Sequence, residues 1–154
     1  MNDKTLWRRY EELRPDQMAQ IVKTAPVILW PLGLIEHHGW HLPVGLDGIK
    51  AERICIRIAE RTGGVLLPTM WWGAGGGHGD FMWTLYQDEQ AAEAILARAV
   101  ERLVVFGFRV FVLLAGHYPW RTILGRHLPR FQAEHPDILF LWGTEMAERV
   151  YLCR

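Results

Sequence analysis

Residues 25–61 read APVILWPLGLIEHHGWHLPVGLDGIKAERICIRIAER. Ala25 to Leu32 is a short, almost wholly apolar run, which predicts a strand buried on both faces. Gly33 to Asp47 is polar and rich in histidine, so the chain leaves the strand as a loop. From Gly48 to Arg61 the residues Ala51, Ile54, Cys55, Ile58 and Ala59 recur at helical spacing, and Gly63-Gly64 stop that helix. A strand without polar alternation, followed by a helix, is the unit from which parallel sheets covered on both faces are built.

The same alternation continues downstream. Val65 to Leu67 predicts a second strand, and a glycine-rich loop runs from Gly73 to Gly79. Asp88 to Phe106 is a helix with Ala92, Ile95, Leu96, Ala99, Val100, Leu103 and Val104 on its apolar face, ended by Gly107. Arg109 to Leu114 is a strand leading into Gly116-His117-Tyr118-Pro119. A helix over Trp120 to Glu134 and a strand over Asp137 to Leu141 complete the series. Upstream, Thr5 to Leu13 and Pro15 to Lys23 read as short helices, with Pro15 suited to a first helical turn. The expectation is a single domain over 1–154, an α/β fold with three layers (α/β/α), a mostly parallel sheet and right-handed crossovers.

Composition narrows the function. Seventeen basic residues balance seventeen acidic ones in 154, with half the residues apolar. That neutrality gives no electrostatic footprint for nucleic acid or an anionic membrane. Apolar runs such as Val110 to Ala115 are too short to span a bilayer, and Met1-Asn2-Asp3-Lys4 opens no signal-peptide core. Cys55 and Cys153 sit in unrelated contexts, so a reducing cytoplasm is the expected compartment. Eight tryptophans are unusual. Trp40, Trp71, Trp72, Trp83 and Trp120 lie near glycine and histidine clusters, and core or subunit-interface packing is favoured over ligand stacking.

In open α/β sheets, sites form beyond the carboxyl ends of strands. Both histidine-bearing segments, 33–47 and 115–119, directly follow a strand. If Glu36 and His38 are extended they point to one side and His37 to the other. Asp47 can return to the same spot after the intervening turn, and His117 arrives from the neighbouring strand end. Glu36, His38, Asp47 and His117 thus form a mixed N/O ligand set suited to Zn²⁺ or Mn²⁺. Asp47 also reads as the N-cap of the helix beginning at Gly48, while His37 and His41 read equally well as ordinary loop histidines. The loop GAGGGHG (73–79) lacks a Gly-Lys-Ser/Thr ending and is read as a flexible pocket rim, not a nucleotide cradle.

The string WPLGLIEHHGWHLPVGLD (Trp30 to Asp47) resembles the creatininase-family signature, Pro-x-Gly-x-x-Glu-x-His-Gly-x-His-Leu-Pro leading to an Asp. GFRVFVLLAGHYPW (Gly107 to Trp120) is similar to the family's second motif, a hydrophobic strand ending in Asn-Gly-His. The resemblance covers about residues 15 to 150. It implies a homo-oligomeric hydrolase of small cyclic or linear amides. Glu36 and His117 would hold one divalent ion, His38 another, and Asp47 would bridge them, activating water toward an amide carbonyl. The leaving nitrogen then needs a proton, and His78 is the candidate catalytic residue for it, the other reading being a loop histidine.

The chain also departs from that pattern. Creatinine-hydrolysing members carry a glutamate two residues after the second-motif histidine, where this sequence has Pro119. Ala115 and Trp120 replace two asparagines, and the chain ends at Arg154 before the family's His-Ala-Gly…Glu-Thr-Ser segment. Glu145 and Glu148 follow the last strand and are the substitutes at hand, unless they form a solvated helix face. Two expectations follow: a metal-dependent amidohydrolase holding one or two ions, with the His38 position the weaker; or a non-catalytic homologue serving as an oligomeric binding or structural domain.

Overall fold

The computed structural model describes residues 7–75, 77, 79–145 and, for the backbone alone, 151–152. In chain order the elements are β1 (Trp7–Arg9), α1 (Pro15–Thr24), β2 (Val27–Leu32), α2 (Leu46–Thr62), β3 (Gly64–Leu66), α3 (Glu89–Val105), β4 (Val110–Ala115), α4 (Pro119–Glu134), β5 (Leu139–Thr144) and β6 (Tyr151–Leu152). The sheet order is β1-β3-β2-β4-β5-β6. The first five strands are parallel to their neighbours, and β6 runs antiparallel to β5.

Strand periodicity sorts the core into two layers. Ile28, Trp30 and Leu32 of β2 face the larger cluster, where Ile21 of α1, Leu96 and Val100 of α3, and Ile123 and Leu128 of α4 pack. Leu29 faces the smaller cluster with Ala51, Cys55 and Ala59 of α2. Helix α2 therefore covers one face and α1, α3 and α4 the other, which is the three-layer α/β/α arrangement. The Asp88 carboxylate caps α3 by accepting from the amides of Gln90 and Ala91 at 2.9 and 3.2 Å.

The largest differences from the expectation lie at two elements. The helix expected over Thr5 to Leu13 is instead the edge strand β1 followed by a 3-10 turn at Tyr10–Glu12, with residues before Trp7 outside the described part. Trp7, Arg8 and Arg9 pair with Gly64, Val65 and Leu66, so an open sheet edge outweighs local helical preference. Strand β5 begins later and ends later than expected. Gly143 and Thr144 pair with Leu114 and Ala115, which carries β5 to the end of the sheet where β4 stops.

Candidate metal centre

Strands β2 and β4 end level, with Leu32 opposite Ala115. Gly33 and Gly116 come next, and both are needed small. A Cβ on Gly33 would collide with the Gly48 backbone, and one on Gly116 with the Asp47 carbonyl. The first turn of α2 thus lies directly on the two strand ends. Helix α2 starts at Leu46 with Gly45 as N-cap and no side-chain cap, so Asp47 is not the N-cap that the sequence suggested. It sits within the first turn, where a carboxylate complements the helix dipole, and its oxygens point toward the strand ends.

There Glu36, Asp47 and His117 meet, all buried, each offering a ligand atom within 4.8 Å of the others. His117 Nδ1 is 3.1 Å from Glu36 Oε2 and 3.0 Å from Asp47 Oδ2. His38 approaches the other oxygen of Asp47, with Nε2 3.3 Å from Oδ1 and 3.8 Å from Glu36 Oε2. Its ring is fixed by Nδ1, which lies 3.0 Å from the Glu36 carbonyl and donates to it. All four residues read from the sequence as ligands are therefore together. His37 turns away to stack on Phe81, with ring centroids 5.6 Å apart, and His41 is exposed. His78 lies outside the described residues, as does Glu148.

The tautomer of His117 fits a site for a cation. Its Nε2 lies 3.1 Å from the Ala74 carbonyl, which can accept but not donate, so Nε2 carries the proton. A neutral ring then points the Nδ1 lone pair at two carboxylate oxygens, a repulsive contact in a buried place. A cation between them, either a proton or a metal ion, removes that repulsion. An imidazole that donates its outer N–H to a backbone carbonyl is also the usual support of a metal-ligating histidine. Burial works to raise the Asp47 pKa. The His117 hydrogen bond and the charges of His38, His117 and Lys50 outweigh it, holding the carboxyl below its ordinary range.

Several contributors escaped the sequence reading. Ala74 lies at the start of the glycine-rich loop, and its carbonyl orients His117. Gly73 and Ala74 are buried, and the Gln87 amide donates to the Gly73 carbonyl at 2.8 Å, so this end of the loop forms part of the wall of the site. Thr84 Oγ1 accepts from the His37 amide at 3.1 Å. Lys50, one turn beyond Asp47, reaches Asp47 Oδ1 at 3.5 Å; the i,i+3 spacing was the available signal. Trp120 is buried and donates to the Gly33 carbonyl at 3.0 Å. Trp40, Trp72 and Trp83 are exposed instead, so core packing does not account for them.

Residues 11–152 match the family model Creatininase, described as creatinine amidohydrolase. The chain belongs to the creatininase family. It is 28% identical over 117 residues to the creatinine amidohydrolase of Pseudomonas putida, covering 73% of this chain and 42% of that protein. It is 33% identical over 94 residues to the mycofactocin precursor peptide peptidase of Mycobacterium ulcerans (strain Agy99), covering 55% and 38%. A crystal structure of creatininase superposes with a TM-score of 0.80 at 24% identity, covering 88% of this chain and 57% of that one. That likeness speaks for the fold, and structures sharing it include a manganese form and a Zn–Zn form of creatininase. The chain thus spans less than two thirds of the length of these creatininase-family relatives.

Proposed function

We propose that this chain forms the metal-holding part of an amidohydrolase acting on a small cyclic or linear amide. Glu36, Asp47 and His117 are proposed to hold a divalent ion, Zn²⁺ or Mn²⁺, with His38 on the second oxygen of Asp47. The observation that carries this reading is the His117 ring, whose outer nitrogen is committed to the Ala74 carbonyl while the inner one faces two buried carboxylates. Two carboxylates and an imidazole are a donor set both metals accept. When bound, the ion would supply Lewis acidity toward an amide carbonyl and lower the pKa of water.

The residues of the chain would do the rest. Burial of Glu36, Asp47 and His117 keeps solvent from competing for the ion, and the His38 ring, fixed by the Glu36 carbonyl, faces Asp47 from the more open side. Exposed aromatic residues Trp40, Trp72 and Phe81 would provide apolar surface for an amide substrate or a second subunit. His78 stays the proposed proton donor to the leaving nitrogen. The second reading, a homologue that keeps the fold without turnover, is supported by Pro119, where a carboxylate is expected from the resemblance. The test is metal content after purification without chelators, followed by hydrolysis of a panel of cyclic and linear amides. A loaded protein that turns over at least one amide, and loses both metal and turnover as His117→Ala, is the expected result. A loaded protein inert to the whole panel favours the second reading, and a protein with no affinity for divalent ions overturns the proposal.

A further inference from the structure

The two oxygens of Asp47 have different neighbours. Oδ2 faces His117, whereas Oδ1 faces two nitrogen atoms, His38 Nε2 at 3.3 Å and Lys50 Nζ at 3.5 Å. A carboxylate with an imidazole on each side has the form of a bridge between two cations. On the Oδ1 side a cation belonging to the chain is already in place. The Lys50 ammonium is held there by Glu145, the residue following β5, with Nζ 2.8 Å from Oε1. Glu145 comes from a segment 95 residues distant, so the pair ties the first turn of α2 to the end of the sheet. The other Glu145 oxygen, Oε2, is buried and without a hydrogen-bond partner among the described residues.

We propose, resting on the metal reading above, that Lys50 serves as the built-in cation of the Oδ1 side and restricts this centre to one tightly held divalent ion. The balance of charge supports it. Glu36, Asp47 and Glu145 bring three negative charges and Lys50 one positive charge, so a single dication leaves the group neutral. A second dication would leave two uncompensated positive charges in a poorly solvated place, which is costly. Lys50 also masks a ligand. His38 Nε2 and Asp47 Oδ1 already lie 3.3 Å apart, and with the ammonium gone a Glu145 oxygen, released from Lys50, could swing toward them to complete an O/O/N set for a second ion.

The experiment is Mn²⁺ and Zn²⁺ stoichiometry by calorimetry and elemental analysis on the purified full chain. Electron paramagnetic resonance of the Mn²⁺ form reports whether two ions are close enough to couple. The unmodified protein is expected to hold one ion and give an uncoupled signal. Lys50→Met should take up a second ion at least tenfold more tightly than the unmodified chain does, with a coupled signal. Lys50→Arg keeps the charge and should stay at one ion, and Lys50→Met combined with Glu145→Gln should fall back to one. Lys50→Gln carries the same expectation as Lys50→Met should the methionine variant not fold. Two tight ions in the unmodified chain, or one ion in both neutral variants, overturns the inference while leaving the metal centre standing. No ion in the unmodified chain overturns the metal reading itself.

Discussion

His117 Nδ1 lies 3.0 Å from Asp47 Oδ2 across 70 residues of chain. The unfolded chain has no such pairing, so a divalent ion held by these residues, as proposed, would bind the folded state and stabilise it. At a free concentration near one hundred times Kd the gain is about 2.7 kcal/mol. For a chain of this size that raises Tm by roughly 5–10 °C. His117→Ala should abolish this shift, because it removes the nitrogen donor and the group that orients both carboxylates. His38→Ala should keep most of it, since His38 serves the opposite oxygen of Asp47. A metal-induced shift that survives His117→Ala but not His38→Ala would reverse the assignment.

Gly116 should not tolerate a side chain. A Cβ at this position would meet the Asp47 carbonyl and the Ala51 Cβ, both in the first turns of α2. Gly116→Ala must push α2 off the strand ends, at a cost of about 1–3 kcal/mol in overpacking. The same displacement separates Asp47 from His117, so metal affinity should fall along with stability. Urea unfolding and metal titration of the variant check both; a stable variant with unchanged affinity would show that the close approach is dispensable.

The strand-helix alternation was legible because β2 and β4 are unbroken apolar runs, and Glu36, His38, Asp47 and His117 were legible because each stands just past a strand or at a helix start. Three things were not. Strand β1 is set by the free edge of β3, a tertiary fact with no local trace in Trp7–Arg9. The Asp47 cap reading failed because Gly33 and Gly116 let α2 begin earlier and closer than spacing implies. The Lys50–Glu145 pair joins positions 95 residues apart: Glu145 was legible as a carboxylate at the right end of the sheet, but not as the partner of Lys50.

A stretch of apolar surface near the centre predicts self-association. Trp40 is 90% exposed, and Phe81, Met82 and Trp83 are each more than half exposed in one short segment. Contiguous exposed aromatic surface of this kind marks contact sites. Sedimentation at micromolar concentration should give a species heavier than the 17.8 kDa chain, and Trp40→Ser with Trp83→Ser should shift it toward the monomer. A monomeric profile for the unmodified protein would count against the homo-oligomer and leave these aromatic residues to the substrate.

Cys55 should be inert and should make the fold sensitive to alkali. It is fully buried among Leu29, Ala51, Ala59, Leu66 and Leu114, and burial, with a smaller contribution from Glu52, pushes its thiol up to about 12. In a Cys153→Ser background, a disulfide reagent at pH 8 should leave Cys55 unmodified until urea is added. The linkage follows from the raised value. Below about pH 8.5, the ordinary thiol pKa, both states keep the proton and Cys55 has no effect on pH dependence. Between there and about pH 12 the unfolded chain releases the proton and the folded chain retains it, so stability falls as pH rises. At pH 10 the loss should reach about 2 kcal/mol relative to pH 7.5. Other groups titrate in that range too, so the quantity to measure is the difference in urea-unfolding free energy between the native sequence and Cys55→Ala at the two pH values. Equal alkaline losses in the two proteins, or rapid modification of the folded protein at pH 8, would show that the thiol is not held in its neutral form.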